Sequence, residues 1–203
     1  MNVAHIAPPA EIFSLTTFLA IAAEALIGLA MGFVLQVAFA APMVASEVIS
    51  MSMGLGFANA VDPASGHATP AIGTFLSLML TLIFLSLDGH LVLVELVVRS
   101  YQVMPPGAWI APERLLGIAM FGGYTFLAGL LLSLPIGFLL LCLNLIVGML
   151  SRAAPALNLF AVGLPASLLF GVVALLLALP AMGDYLVVII REALVMMPQL
   201  VLG

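Results

Sequence analysis

The chain has 203 residues, 65% of them hydrophobic and only 6% charged. An ordinary soluble domain carries about 25% charged residues, and a water-soluble fold of this size could not cover its surface with so few. It contains no lysine, and Arg99, Arg114, Arg152 and Arg191 are scattered rather than clustered, which excludes nucleic acid as a partner because phosphate neutralisation takes a basic patch.

The start, MNVAHIAPPAEIF, has no positive charge ahead of its apolar residues and does not look like a cleaved signal peptide. After Pro8-Pro9, residues 12 to about 44 are helical in composition with a single charge at Glu24, longer than the roughly 20 residues a bilayer core needs. Gly28 and Gly32 form a small-xxx-small pair that would admit another helix closely. Gln36 and Glu47 suit the far end of this helix to protein contacts rather than lipid. From Ala45 to Pro70 the membrane-like pattern fails. A helix carrying Glu47 and Ser50 passes Met51 and Met53 and breaks at Gly54 and Gly56. Asp62-Pro63-Ala64-Ser65-Gly66 then has the residues of a tight reversal, and Thr69-Pro70 reads as an N-cap with proline at the first helical position. So polar a loop between apolar segments belongs in water, in a channel or against other protein.

Residues 63 to 87 are free of charge, and IGTFLSLMLTLIFLSL within them is a candidate span, ending at Asp88-Gly89-His90. Leu91 to Tyr101 continues that helix or forms a short one beside it, with Glu95 and Arg99 at an i,i+4 spacing. YQVMPPGAWIAPER is a proline-rich connector whose Tyr101 and Trp109 suit a membrane boundary, and Pro112-Glu113 fits a first helical turn. Residues 115 to 151 are uncharged, too long for one untilted crossing and short for two, so a kinked helix or a tight hairpin is expected, with Gly122-Gly123 and Pro135 as bends. Arg152 and Pro155 close that run. A further apolar run to Pro180 and an amphipathic end bearing Asp184, Arg191 and Glu192 complete the chain. The expected organisation is one all-α, polytopic membrane domain over 1–203: a long helix 12–58 with a Met-Gly break, a loop 59–69, a helix 70–101, a connector 102–114, the 115–151 element, and C-terminal helices over 155–203.

Catalytic chemistry has little support. Glu24, Glu47, Asp88, His90, Glu95 and Arg99 are ionisable groups among apolar neighbours, and buried charges in lipid cost several kcal/mol. A proton relay through Glu24, Asp88 and Glu95 would make the chain a small proton-coupled transporter; helix pairing and interfacial placement account for the same residues. Gly183-Asp184 superficially matches intramembrane aspartyl proteases, but Ala181 stands where glycine is needed. His5, His67 and His90 lack ligand spacing, and no glycine-rich phosphate loop follows a strand. No enzyme activity and no cofactor or metal are expected. Cys142, the only cysteine, reads as a small buried hydrophobe.

Three blocks resemble the FliR family of flagellar export-gate proteins, in the family's order: GLAMGFVLQVAFAAPMVASEVISMSMGLGFANAVDPASG from Gly28 to Gly66, FLSLMLTLIFLSLDGHLVLVELVVRSYQVMPPG from Phe75 to Gly107, and SRAAPALNLFAVGLP from Ser151 to Pro165. The most specific pieces are Met53-Gly54-Leu55-Gly56-Phe57 with Asp62-Pro63, the Leu87-Asp88-Gly89-His90 step, and Arg152 with Pro155, Asn158, Phe160, Gly163 and Pro165. Ala156 stands where the family prefers glutamine. Family members carry further hydrophobic helices before the point matching Ile12, so a shortened member, or a start placed at an internal Met, is expected.

The resemblance implies long bent helices and hairpins packed in a helical multi-subunit gate of the type III export apparatus, with FliP and FliQ as channel partners, FlhB and FlhA joined to it, and unfolded flagellar proteins in transit. It implies the bacterial inner membrane at the flagellar basal body. It also implies that Met51, Met53, Gly54, Gly56, Phe57, Asp62, Pro63 and Gly66 belong to a loop that occludes the pore, and that Gly28, Gly32, Glu47, Asp88, Arg152, Asn158, Gly163 and Pro165 serve packing between helices or subunits. The alternative within the same architecture is the gate subunit of an injectisome (SctT/SpaR/YscT/HrcT); the Asp62 to Gly66 run favours the flagellar branch.

Overall fold

A computed structural model describes residues 14–55, 71–153 and 159–202, and these residues contain helices and turns and no strand. The helices are α1 (Leu15–Ser52), α2 (Ala71–Ser86), α3 (Gly89–Val103), α4 (Pro112–Phe121), α5 (Tyr124–Ala153) and α6 (Leu159–Val201). Among the described residues three stretches are long and apolar enough to cross a membrane: Leu15–Ser52, Pro112–Leu150 and Gly163–Gln199, with a fourth if the broken pair α2 and α3 counts as one span. The chain is thus an all-α protein with the helices of a multi-pass membrane protein.

The ends of these helices follow from local chemistry. Ser14 caps α1: its Oγ accepts the Thr17 N–H at 3.2 Å, satisfying one of the orphan donors of the first turn. At the other end of α1 the Leu55 N–H donates to the Ser50 carbonyl and the Gly54 N–H to the Met51 carbonyl, both at 3.0 Å, with Gly54 at φ 79°. That is a Schellman stop, which needs a left-handed residue after the last helical turn and finds it in glycine. Pro42 and Pro135 lie inside α1 and α5, where each removes one i→i−4 hydrogen bond without ending the helix. The stretch 70–101 is two helices. The break falls at Leu87-Asp88, where Asp88 takes φ 55°, and any Cβ on buried Gly89 would collide with the Phe84 ring. The connector after α3 turns at Pro105–Ala108, closed by the Ala108 N–H on the Pro105 carbonyl at 3.0 Å, with proline second and Gly107 third at φ 88°, the arrangement of a type II turn. α4 opens on Pro112, as Pro-Glu suggested, and yields to α5 at Gly122-Gly123. The C-terminal part is the single helix α6.

The chain divides into two compact units. The first comprises Met1–Ala38, Phe84–Tyr124 and Ile189–Gly203. Its core is Ile27, Met31 and Val34 of α1 against Leu96, Ile110, Ile118, Met197 and Val201. The second comprises Phe39–Ile83 and Thr125–Val188. Its buried residues include Ala41, Ala45 and Ile49 of α1, Leu76 and Leu80 of α2, Leu132, Ile136 and Leu140 of α5, and Met182 and Leu186 of α6. Buried Ser46 and Ser133 donate to carbonyls of their own helices, Met43 and Leu130, each at 2.8 Å, so neither hydroxyl is left unsatisfied in the apolar interior.

Candidate functional site

The end of α1 carries Met51, Met53 and Gly54, the expected pore residues that fall among the described ones, and the second unit grips it closely. A Cβ added at Gly129 of α5 would stand 2.6 Å from Val44 Cβ and 2.9 Å from the Ala41 carbonyl oxygen, and one at Gly73 of α2 would stand 2.6 Å from Ser46 Oγ. Further along, a Cβ at Gly171 of α6 would stand 2.5 Å from Met53 Cγ, and one at Gly54 would stand 2.8 Å from Leu164 Cδ2. Real Cβ atoms do not approach that closely, so these glycines are where neighbouring helices fit against α1. Apart from Gly54, sequence reasoning missed them. The only signal was glycine inside long apolar runs, as in FLAGLL and LLFGVV, with no means of knowing which face meets which helix.

The expected pore residues separate. Met53 is 3% exposed and seated on Gly171, whereas Met51, two residues earlier, is 64% exposed. Gly54 ends the helix. Gly56, Phe57, Asp62, Pro63 and Gly66 lie outside the described residues, as do Thr69, Pro70 and Asn158. Glu47 and Arg152 are exposed, Gly163 is buried and Pro165 exposed. Asp88 is exposed at the N-terminus of α3 and its side chain makes no capping hydrogen bond. Gly28 and Gly32 are exposed, and a Cβ at either would meet no neighbouring element among the described residues within 4 Å.

Among the ionisable residues of the apolar segments, Glu24 has a structural partner: its Oε1 accepts the Gly107 N–H at 3.1 Å, tying the connector to α1 in the first unit. A Cβ at Gly107 would come 3.2 Å from Ala20 Cβ, so the turn lies directly on the helix. His90, Glu95 and Arg99 are exposed on α3. In the second unit the Ser167 hydroxyl donates to Asn144 Oδ1 at 3.1 Å, a polar link between α5 and α6. A groove of about 620 Å³ between the same two helices is lined by Leu139, Cys142, Leu143, Ile146, Phe170 and Val173 among others, a surface that offers apolar contact and no acid or base. Among the described residues no three His, Cys, Asp or Glu side chains come together as a metal site.

What the arrangement can do is pack. In the most apolar windows of the three candidate spans only 28%, 22% and 28% of the residues are buried within the chain. Along these spans Phe18, Leu29, Phe126, Phe138, Met149, Leu169 and Leu177 present large apolar side chains outward, to lipid or to other chains.

Comparison with known proteins agrees. The family model described as "Bacterial export proteins, family 1" matches residues 1–193. The flagellar biosynthetic protein FliR of Pectobacterium carotovorum is 41% identical over 170 residues, covering 83% of this chain and 65% of that protein. FliR of Escherichia coli K12 is 39% identical over 163 residues, 80% of this chain and 62% of that protein. FliR of Buchnera aphidicola from Acyrthosiphon pisum is 33% identical over 187 residues, 92% and 72%. The chain thus spans about two thirds of the length of these curated relatives. With its outward apolar helices and the ordered Met-Gly, Asp-Gly-His and Arg-to-Pro blocks, the chain belongs to family 1 of the bacterial export proteins, the family of FliR.

Proposed function

We propose that this chain is a core channel subunit of the flagellar type III export apparatus, forming with FliP and FliQ the gate through which unfolded flagellar proteins leave the cell, with FlhB and FlhA joined to it, in the bacterial inner membrane at the flagellar basal body. The observation that carries this proposal, given the family, is the low internal burial of helices long enough to span: a chain that buries about a quarter of the most apolar window of each such helix in itself leaves the rest of that window for lipid and other subunits. The role is one of packing and occlusion rather than catalysis. The segment from Met53 to about Gly66 acts as the seal of the closed pore, entered through the Schellman stop at Gly54, with the exposed, flexible Met51 next to it. The names of the matched relatives favour the flagellar branch over the injectisome. The hydrogen bond between Glu24 and the connector gives that carboxylate a structural task, which supports packing over the alternative of a proton relay through Glu24, Asp88 and Glu95.

The test is expression of the chain in a flagellated bacterium deleted for its own FliR. Copurification with that cell's FliP and FliQ is expected, and its absence, with the chain present in the membrane, would overturn the channel-subunit assignment. Deleting Gly56 to Gly66 should keep that copurification and make the membrane leak ions; an assembled but tight pore would refute the sealing role of the segment.

A further inference from the structure

We infer that Leu164 and Gly171 of α6 form a seat for the end of α1 and are positioning residues for the pore. Residues 164, 167 and 171 recur at i, i+3 and i+7 and so share one face of α6. Gly171 receives Met53: a Cβ there would stand 2.5 Å from Met53 Cγ, 2.7 Å from Cε and 2.9 Å from Sδ, so the whole methionine side chain lies across the space that any other residue at 171 would fill. Leu164, two turns earlier, stands against Gly54, where a Cβ would meet its Cδ2 at 2.8 Å, and Gly54 holds the left-handed conformation that stops α1. Between them buried Ser167 donates to Asn144 Oδ1, which fixes the rotation of this face of α6 against α5.

Each contact has a separate effect. The Gly171 hole fixes the depth of Met53, and Leu164 abuts the residue at which the chain leaves the helix. Methionine is flexible enough to fill an irregular hole, and three of its side-chain atoms, Cγ, Sδ and Cε, lie where a side chain at 171 would go. A side chain at 171 therefore moves Met53, and with it the point from which the following segment departs. The seat is a property of α6, far from the Met-Gly block in sequence, and its specificity lies in size matching between two positions.

This inference rests on the proposal that the segment after Met53 seals the pore, and the experiment separates the two. In the FliR-deleted cell, the chain carrying Gly171→Leu should still copurify with FliP and FliQ and should raise ion leak severalfold. Adding Met53→Ala to the same chain should return the leak toward the parental value, because the truncated side chain vacates the space the leucine takes. A leak that Met53→Ala leaves unchanged, or an assembled Gly171→Leu chain that stays tight while the Gly56 to Gly66 deletion leaks, would overturn the seat; a deletion that does not leak would instead overturn the seal. Should Gly171→Leu fail to accumulate, the paired Met53→Cys and Gly171→Cys chain, in a Cys142→Ser background, reads the contact directly. A Met53 Cγ 2.5 Å from the Cβ position puts the two Cβ atoms within about 4 Å, disulfide range, so oxidation should lock the pair. No crosslink would refute the seat.

Discussion

One helix, α1, is held in two different ways along its length. In the first unit its Ile27, Met31 and Val34 interdigitate with long side chains from α3, the connector, α4 and α6, while its glycines, Gly28 and Gly32, face outward. In the second unit it presents Ala41, Ala45 and Ser46, and the glycines sit on the partners, Gly73 and Gly129, drawing α2 and α5 close to it. Core packing by large side chains fails through cavities, and packing by missing side chains fails through overfilling. The two stretches of α1 should therefore be sensitive to opposite kinds of substitution in the residues that pack on them.

The largest effect is expected from Met197→Ala. Met197 is fully buried in the first core, and removing its side chain should cost about 3 kcal/mol through lost contacts and the cavity left behind. The loss would be read as a fall in the denaturation midpoint of the purified chain in detergent. A change of a few tenths would mean that this unit is not packed as tightly as its burial indicates. Gly129→Val is the converse. Adding atoms where Val44 Cβ and the Ala41 carbonyl already stand should cost about 2 kcal/mol in the same measurement, because one of the contacts is backbone and cannot rotate away. If a larger residue at 129 were neutral while Met197→Ala was harmful, the contrast between the units would collapse.

The polar tie in the first unit should matter less than either. Glu24→Ala leaves the Gly107 N–H without its acceptor and should cost about 1 kcal/mol, Glu24→Gln less, since the amide oxygen can take the same hydrogen bond. Amide hydrogen exchange at Gly107 checks the mechanism: faster exchange in the alanine variant and near-parental exchange in the glutamine variant are expected. Equal exchange in all three would detach the connector from Glu24.

What the sequence made legible was what composition and local rules carry. The helical, multi-pass character followed from long uncharged runs, the end of α1 from Met53-Gly54, and the start of α4 from Pro112-Glu113. The family was legible because its motifs are contiguous. The break at Leu87-Asp88 was half visible, since Asp-Gly marks a turn, but whether helix resumed in line depended on the Phe84 ring lying where a Gly89 Cβ would be. The seating of Met53 was not legible. Met51 and Met53 look alike in the chain, and a rotation of two helical positions, about 200°, sends one outward and the other into the glycine hole of a helix more than a hundred residues later. The same limit applied to Glu24, whose partner is a backbone N–H in a connector and therefore has no side-chain signature.

Gly28 and Gly32 give the smallest effect on the chain alone and the clearest separation of packing within it from packing between chains. Both are in a helix, both are exposed, and neither would bring a Cβ within 4 Å of a neighbouring element among the described residues. Alanine at each should stabilise the isolated chain by about 0.5 kcal/mol, because glycine in a helix carries extra backbone entropy in the unfolded state and here no contact opposes its loss. Leucine at both should likewise leave the isolated chain folded. In the proposed assembly with FliP and FliQ the expectation reverses. If another subunit approaches α1 at this small-xxx-small face, leucines should reduce copurification of FliP or FliQ without lowering the detergent midpoint of the chain. Undiminished copurification would place this face against lipid, where leucine is as welcome as glycine, and would confine the close packing of α1 to the glycines its own chain supplies.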